Sequence, residues 1–226
     1  KPLLKAAGKT MLEHLVDRLK IVSSLDAIVL ATTINEADDD LVAEAKSLGI
    51  QFFRGSEDDV MNRVISAAAS VNADVVVEIT GDCPIIDPGI VEQTIAMFKA
   101  HSVDYASNAM VRSYPDGMDV QVMGLNTLRK SSAMTIDPLD LEHVTLHIRN
   151  NPDIFSRVHL VAPPELHWPE LGLTLDEQKD YHLICCLIDF FLEVNPTFSC
   201  LDAINHLKAN PNLVSINDTV SRKGNT

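Results

Sequence analysis

The chain has 226 residues, 46% of them hydrophobic, and a formal net charge of −14. That is enough apolar material for one sizeable core, yet no apolar run approaches the roughly 18 residues of a membrane span. A surface this acidic also argues against nucleic acid as a partner, because non-specific binding needs lysine and arginine to neutralise phosphates.

Taken in order, Lys1-Pro2-Leu3-Leu4 leads into a loop at Ala7-Gly8-Lys9. Met11, Leu12, Leu15, Val16 and Leu19 then recur at helical spacing. Residues 27–33 read as a strand. Residues 36–48 read as a helix, with Leu41, Val42, Ala45 and Leu48 inward and Gly49 at its C′ position. A short strand over 50–53 follows. Arg54-Gly55-Ser56 forms a turn, and Ser56 caps a predicted helix running to about Ser70. This alternation of strand and helix predicts a mostly parallel sheet covered on both faces.

The next run, Val75-Val76-Val77-Glu78-Ile79, is short and largely β-branched. It reads as a strand buried on both faces. Thr80-Gly81-Asp82-Cys83-Pro84 ends it abruptly and lifts Asp82 out at its carboxyl end, the edge at which open α/β sheets bind ligands. A carboxylate held there suits a divalent metal; it is equally suited to capping its own turn. Asp87 and Pro88 then start a helix. Two readings stay open for Glu78: a buried, paired carboxylate near the site, or one facing outward at an edge.

The second half differs. Ser113-Tyr114-Pro115-Asp116-Gly117 has strong turn chemistry. Met118, Val120 and Val122 alternate with Asp119, Gln121 and Met123, which predicts a strand packed on one face. A helix is expected over 139–149, a strand over 157–162, helices over 177–193 and 201–209, then a polar tail. Cys83, Cys185, Cys186 and Cys200 form no CxxC pair and read as buried thiols of a reducing, cytoplasmic compartment.

Four blocks together resemble one known family: Lys1-Pro2-Leu3-Leu4, Arg54-Gly55-Ser56-Glu57-Asp58-Asp59-Val60, Ile79-Thr80-Gly81-Asp82-Cys83-Pro84 and Leu175-Asp176-Glu177-Gln178-Lys179-Asp180-Tyr181. They are similar to the cytidylyltransferases, in particular the SpsF-like spore-coat polysaccharide branch, related to the synthetases of CMP-sialate and CMP-3-deoxy-octulosonate. The resemblance implies a three-layer, Rossmann-like nucleotidyltransferase fold. It implies one domain over 1–226, with 112–150 as a sugar-binding or dimerisation elaboration. Of the family's glycine-rich signature only Lys1-Pro2-Leu3 is present, so the first strand is expected to be missing from this chain.

The implied reaction is transfer of CMP from CTP to an acidic sugar, with release of pyrophosphate. Asp82 and Asp176 would hold Mg²⁺, and Lys1 would steady the phosphates. Ser56, Asp59, Arg63, Thr80 and Gly81 would border the nucleotide. Tyr114, Asp119, Glu142 and His143 would face the sugar. A homodimer is the implied assembly. The local pattern gives Asp176 a second role as helix N-cap, Ser56 to Arg63 a second reading as a capped helix with a solvated acidic turn, and His143 a structural one. Two other functions remain open: a metal-dependent glycosyltransferase using a nucleotide-sugar donor, and a nucleotide-binding module without turnover.

Overall fold

The computed structural model describes residues 1–221. A tight hairpin, β1 (Lys5–Ala6) and β2 (Lys9–Thr10), turns through Ala7 and Gly8 at positive φ. The Thr10 hydroxyl accepts from the Glu13 amide and caps α1 (Met11–Leu19). β3 (Val29–Thr33) and β4 (Gln51–Gly55) pair in parallel around α2 (Asp39–Ser47). Gly49, at φ +68°, stops α2 as the sequence indicates. α3 (Val60–Ser70) starts later than expected. Its cap is Asp59, which accepts from the Asn62 amide at 2.9 Å, while the Ser56 hydroxyl accepts from the Asp59 amide.

β5 (Val75–Glu78) is followed by α4 (Pro88–Ala100), which Asp87 caps through Gly89 N at 2.7 Å. Then come β6 (Tyr105–Ser107), β7 (Gln121–Gly124) and α5 (Leu125–Ser132). The helix expected over 139–149 is two short ones, α6 (Pro138–Glu142) and α7 (Leu146–Asn150). They break at buried Val144, whose φ of +39° is incompatible with a continuing helix. β8 (Arg157–His159), α8 (Gln178–Val194) and α9 (Cys200–Ala209) complete the expected elements. The polar tail is partly structured: α10 (Pro211–Val214) is followed by buried Asn217 and Val220. Its residues 222–226 lie outside the described residues.

The layered α/β build is as expected, but the sheet is mixed rather than mostly parallel. β3 and β4 form a parallel pair, and a four-stranded sheet runs β5-β7-β6-β8. β7 is antiparallel to both its neighbours, and β6 and β8 are parallel. β7, not β5, is therefore the strand buried on both faces. Val122 and Met123, on opposite faces of β7, are both fully buried. Val75 of β5 is 41% exposed, because among the described residues that strand is paired on one side only. One face of the sheet packs on α1, α4, α8 and α9 through Val122, Ile95, Leu187 and Ile204. The other packs on α3, α5 and α7 through Val76, Met61, Leu128 and Ile148. All four cysteines are free; Cys83 and Cys200 are buried as expected, but Cys186 is exposed. Among the described residues no helix is long and apolar enough to cross a membrane.

Candidate active site

The turn after β5 carries Asp82. One of its carboxylate oxygens accepts from the Thr80 hydroxyl at 2.5 Å, and the other has no partner among the described residues. Thr80 and Gly81 are exposed, and Pro2 lies over Gly81, 3.9 Å from where a Cβ would stand. Cys83 is buried, and burial pushes its thiol well above the usual range. That removes it as a nucleophile, which must be a thiolate.

Asp82 and Asp176 are 94 positions apart in sequence, and the backbone brings them together. The Leu175 amide donates to the Asp82 carbonyl at 2.8 Å, and the Thr174 hydroxyl donates to the same oxygen at 3.3 Å. Asp176 is one residue beyond that contact. The segment is held from its other side by the 113–119 turn. Asp116 N donates to Leu171 O at 2.9 Å, and Leu173 N donates to Asp116 O at 2.7 Å. Gly117, at φ +100°, makes this approach possible. A Cβ there would lie 2.6 Å from the Leu173 carbonyl carbon and oxygen.

Asp176 does not cap α8. Glu177 is the cap, in a capping box with Asp180. Asp180 is fully buried. One of its oxygens accepts from the amides of Asp176 and Glu177, and the other accepts from Asn217. This leaves the Asp176 carboxylate free to face Lys1, whose Nζ lies 3.7 Å away. Lys1 is positioned in turn by the Leu12 amide, which donates to Pro2 O at 2.9 Å.

Among the described residues no three acidic, histidine or cysteine side chains are placed to hold a metal. Two hard carboxylates at neighbouring turns still fit Mg²⁺, which takes one or two protein carboxylates and fills its octahedron with water and phosphate oxygens.

On the side expected to border the nucleotide, Asp59 is engaged in capping α3, and Arg63 donates to the Ser56 carbonyl. Arg63 Nε is buried without a partner. Burial lowers the guanidinium's pKa, opposed by Asp38, Glu57 and Asp59. Arg54 spans the ends of β3 and β4, reaching Thr33 O at 2.8 Å and Asp39 at 2.6 Å.

The residues expected to face the sugar divide. Asp119 is largely enclosed, and its carboxyl is pushed up to about 6 by burial and by Asp116, against Arg112, with Asp82 adding and Arg149 opposing. Glu142 and His143 are exposed at the end of α6. Tyr114 lies deeper than the other three. It is 5% exposed within the core on the α8 side, and its hydroxyl is buried without a partner. The turn itself forms where its chemistry indicates, and the ring is buried because the 113–119 turn folds inward onto 171–173.

A polar network beneath this edge was not legible as such in the sequence. Glu78 of β5 stands directly across from Gln121 of β7, which stands across from Ser107 of β6. Gln121 donates to Glu78 and accepts from the hydroxyls of Tyr105 and Thr145, the latter at 2.6 Å. Glu78 is therefore the enclosed, paired carboxylate of its two readings. Burial pushes it up to about 7, opposed by Arg149 and reinforced by Asp82. Asn108 closes the same edge, donating to Met118 O at 2.6 Å and accepting from Val120 N at 2.7 Å, which fixes the backbone on both sides of Asp119.

The fold is that of a nucleotidyltransferase, and the comparisons with known proteins specify the kind. A family profile described as cytidylyltransferase matches residues 1–208. The chain belongs to the cytidylyltransferase family. It is 33% identical over 187 residues to the spore coat polysaccharide biosynthesis protein SpsF of Bacillus subtilis, covering 82% of this chain and 76% of that one. It is 32% identical to an uncharacterised protein of Methanocaldococcus jannaschii, over 99% of this chain and 90% of that one. A solved cytidylyltransferase from Leptospira borgpetersenii superposes with a TM-score of 0.91 at 29% identity, covering 98% of this chain and 92% of that one. A CMP:2-keto-3-deoxy-manno-octonic acid synthetase complexed with CTP shares the fold, with a TM-score of 0.60 at 16% identity, over 84% of this chain and 92% of that one.

Proposed function

We propose that this chain transfers CMP from CTP to a sugar, releasing pyrophosphate, to supply an activated sugar for a surface polysaccharide. The observation that carries the reading is the hydrogen bond from Leu175 N to the Asp82 carbonyl, which gathers two remote carboxylates at one sheet edge. SpsF of Bacillus subtilis, by its name, acts in spore coat polysaccharide synthesis; that supports the polysaccharide setting here.

In this reading a sugar hydroxyl gives up its proton to solvent as its oxygen forms a bond to the α-phosphorus of CTP. The bond from that phosphorus to the β-phosphate oxygen breaks, and pyrophosphate leaves with the electron pair. Asp82 and Asp176 would hold Mg²⁺. When bound, the ion offsets negative charge on the α-phosphate and the leaving pyrophosphate. Lys1, beside Asp176, adds a positive charge on the phosphate side. The chain's contribution is positioning and charge stabilisation, on which enzymatic phosphoryl transfer chiefly depends.

The test is pyrophosphate release with each nucleoside triphosphate against a panel of sugars. Release with CTP and a sugar together, and not with either alone, supports the reading. Release of a free nucleotide from a nucleotide-sugar donor would replace it with a glycosyltransferase. CTP binding with no turnover on any sugar would make the chain a binding module.

A further inference from the structure

We infer that Asn217, in the C-terminal tail, is a positioning residue that holds Asp176 at the site. This deepens the cytidylyltransferase reading and rests on it. Asn217 is 3% exposed and acts through the segment that carries Asp176.

That segment runs over residues 172–180. From one side it is held by Leu173 N on Asp116 O and by Leu175 N on Asp82 O. From the other side Asn217 reaches both of its ends. Asn217 Nδ2 donates to Gly172 O at 3.0 Å and to Asp180 Oδ1 at 2.8 Å. The second carboxylate oxygen of Asp180 accepts from the Asp176 amide at 3.1 Å and from the Glu177 amide at 2.8 Å. The path from Asn217 to the Asp176 backbone is therefore two hydrogen bonds long, with one buried carboxylate between them.

The residue type suits this place. A carbonyl and a carboxylate only accept, and an amide nitrogen brings a hydrogen for each without adding charge. Asp180 is fully buried, so an oxygen left without a donor would be costly. If Asn217 lost its amide, that cost would be relieved by turning the Asp180 carboxylate away, which releases the Asp176 amide. Asp176 could then cap α8 itself, as its residue type favours, and its carboxylate would leave Lys1 and the Asp82 turn.

The tail is anchored for this task. Leu213, Val214 and Ile216 pack against the core on the α8 side. Lys179 Nζ donates to the Thr219 hydroxyl at 2.6 Å, and Val220 N donates to Asn217 O at 3.0 Å. Asn217 lies outside residues 1–208, which match the cytidylyltransferase profile, so the tail adds a support to the site from beyond that stretch.

The experiment titrates Mn²⁺ into the full chain in the presence of CTP and reads bound ion by electron paramagnetic resonance, each variant well below its own melting temperature. Asn217→Ala removes both donors and should weaken Mn²⁺ binding about 10- to 100-fold, the usual effect of losing a partner that orients a metal ligand. Asn217→Ser keeps one donor and should fall between Asn217→Ala and wild type; it carries the comparison if Asn217→Ala does not fold. Val220→Ala loosens the same tail without removing either bond, and should bind Mn²⁺ as wild type does even where its melting temperature drops.

Wild-type affinity in both Asn217 variants would overturn the assignment and leave the cytidylyltransferase reading intact. An equal loss in Val220→Ala would also overturn it, because the tail would then act by general packing. No Mn²⁺ bound by wild type with CTP present would refute the shared-ion reading itself, and the assignment with it.

Discussion

Replacing Glu78 by glutamine isolates the electrostatic cost of the network beneath the site. Glutamine keeps the shape and still offers an oxygen to the Gln121 amide, so the bond in the row survives. What disappears is the charge. The folded protein holds the Glu78 carboxyl at about 7 instead of the ordinary 4.5. At ~1.4 kcal/mol per pH unit, that is about 3 kcal/mol, reduced somewhat because the residue is not wholly screened from water. The sign follows from proton binding. Between about pH 4.5 and 7 the folded state keeps a proton that the unfolded chain has lost, so this contribution is complete below 4.5. It is lost as the pH rises through 7. Wild type and Glu78→Gln should therefore melt together near pH 4.5. At pH 8 the variant should be stabler by about 2–3 kcal/mol, or about 5–10 °C for a domain of this size. Parallel thermal denaturation curves from pH 4.5 to 8.5 measure this. A difference that does not change with pH would refute the reasoning, and a less stable variant at pH 8 would show that Arg149 compensates Glu78 fully.

Three further substitutions bear on the site. Asp82→Asn should cut turnover at least about 100-fold while moving the melting temperature little, because the bond that Leu175 makes is to the main chain of residue 82; a large melting shift would mark a structural Asp. Gly117→Ala should cost about 2–3 kcal/mol, since its methyl would press on the Leu173 carbonyl. Activity should fall with it as the 171–176 segment moves, and denaturant titration together with pyrophosphate assay reads both. Tyr114→Phe should leave acceptor KM unchanged and stability equal or higher, because the hydroxyl it removes is buried without a partner. A raised acceptor KM would return Tyr114 to the sugar site.

Local chemistry was the readable part of this chain. Thr10, Asp87 and Gly49 end or begin helices as their types require, and the polar turn after Glu78 delivers Asp82 to the sheet edge. What escaped was set by partners remote in sequence. The apolar run at 75–79 has the composition of a central strand, yet β7 takes that place by pairing antiparallel with both β5 and β6. β6 has three residues, too few to show a period. α5 follows β7 without a polar break, so its start carries no cap signal; its N-cap is Gly124. Apolar periodicity over 139–149 could not foresee the reversal at Val144, a residue type that rarely adopts positive φ.

The same division holds at the site. Asp82, Asp119 and Asp176 stand out because each interrupts an apolar pattern. Gln121 interrupts the same alternation as Asp119 and gave a signal that could have been followed. Arg149, Thr145 and Asn108 gave none, since their placement depends on α7 lying over the sheet and on the loop between β6 and β7. The burial of Tyr114 was hidden for the converse reason: turn residues usually face solvent, and this turn is folded under 171–173.

The central claim is that Asp82 and Asp176 share one divalent ion where CTP is cleaved. Electron paramagnetic resonance titration of Mn²⁺ in the presence of CTP counts that ion directly. The account predicts one tight Mn²⁺ per wild-type chain and strong weakening in both Asp82→Asn and Asp176→Asn. Unchanged Mn²⁺ affinity in either variant would contradict it.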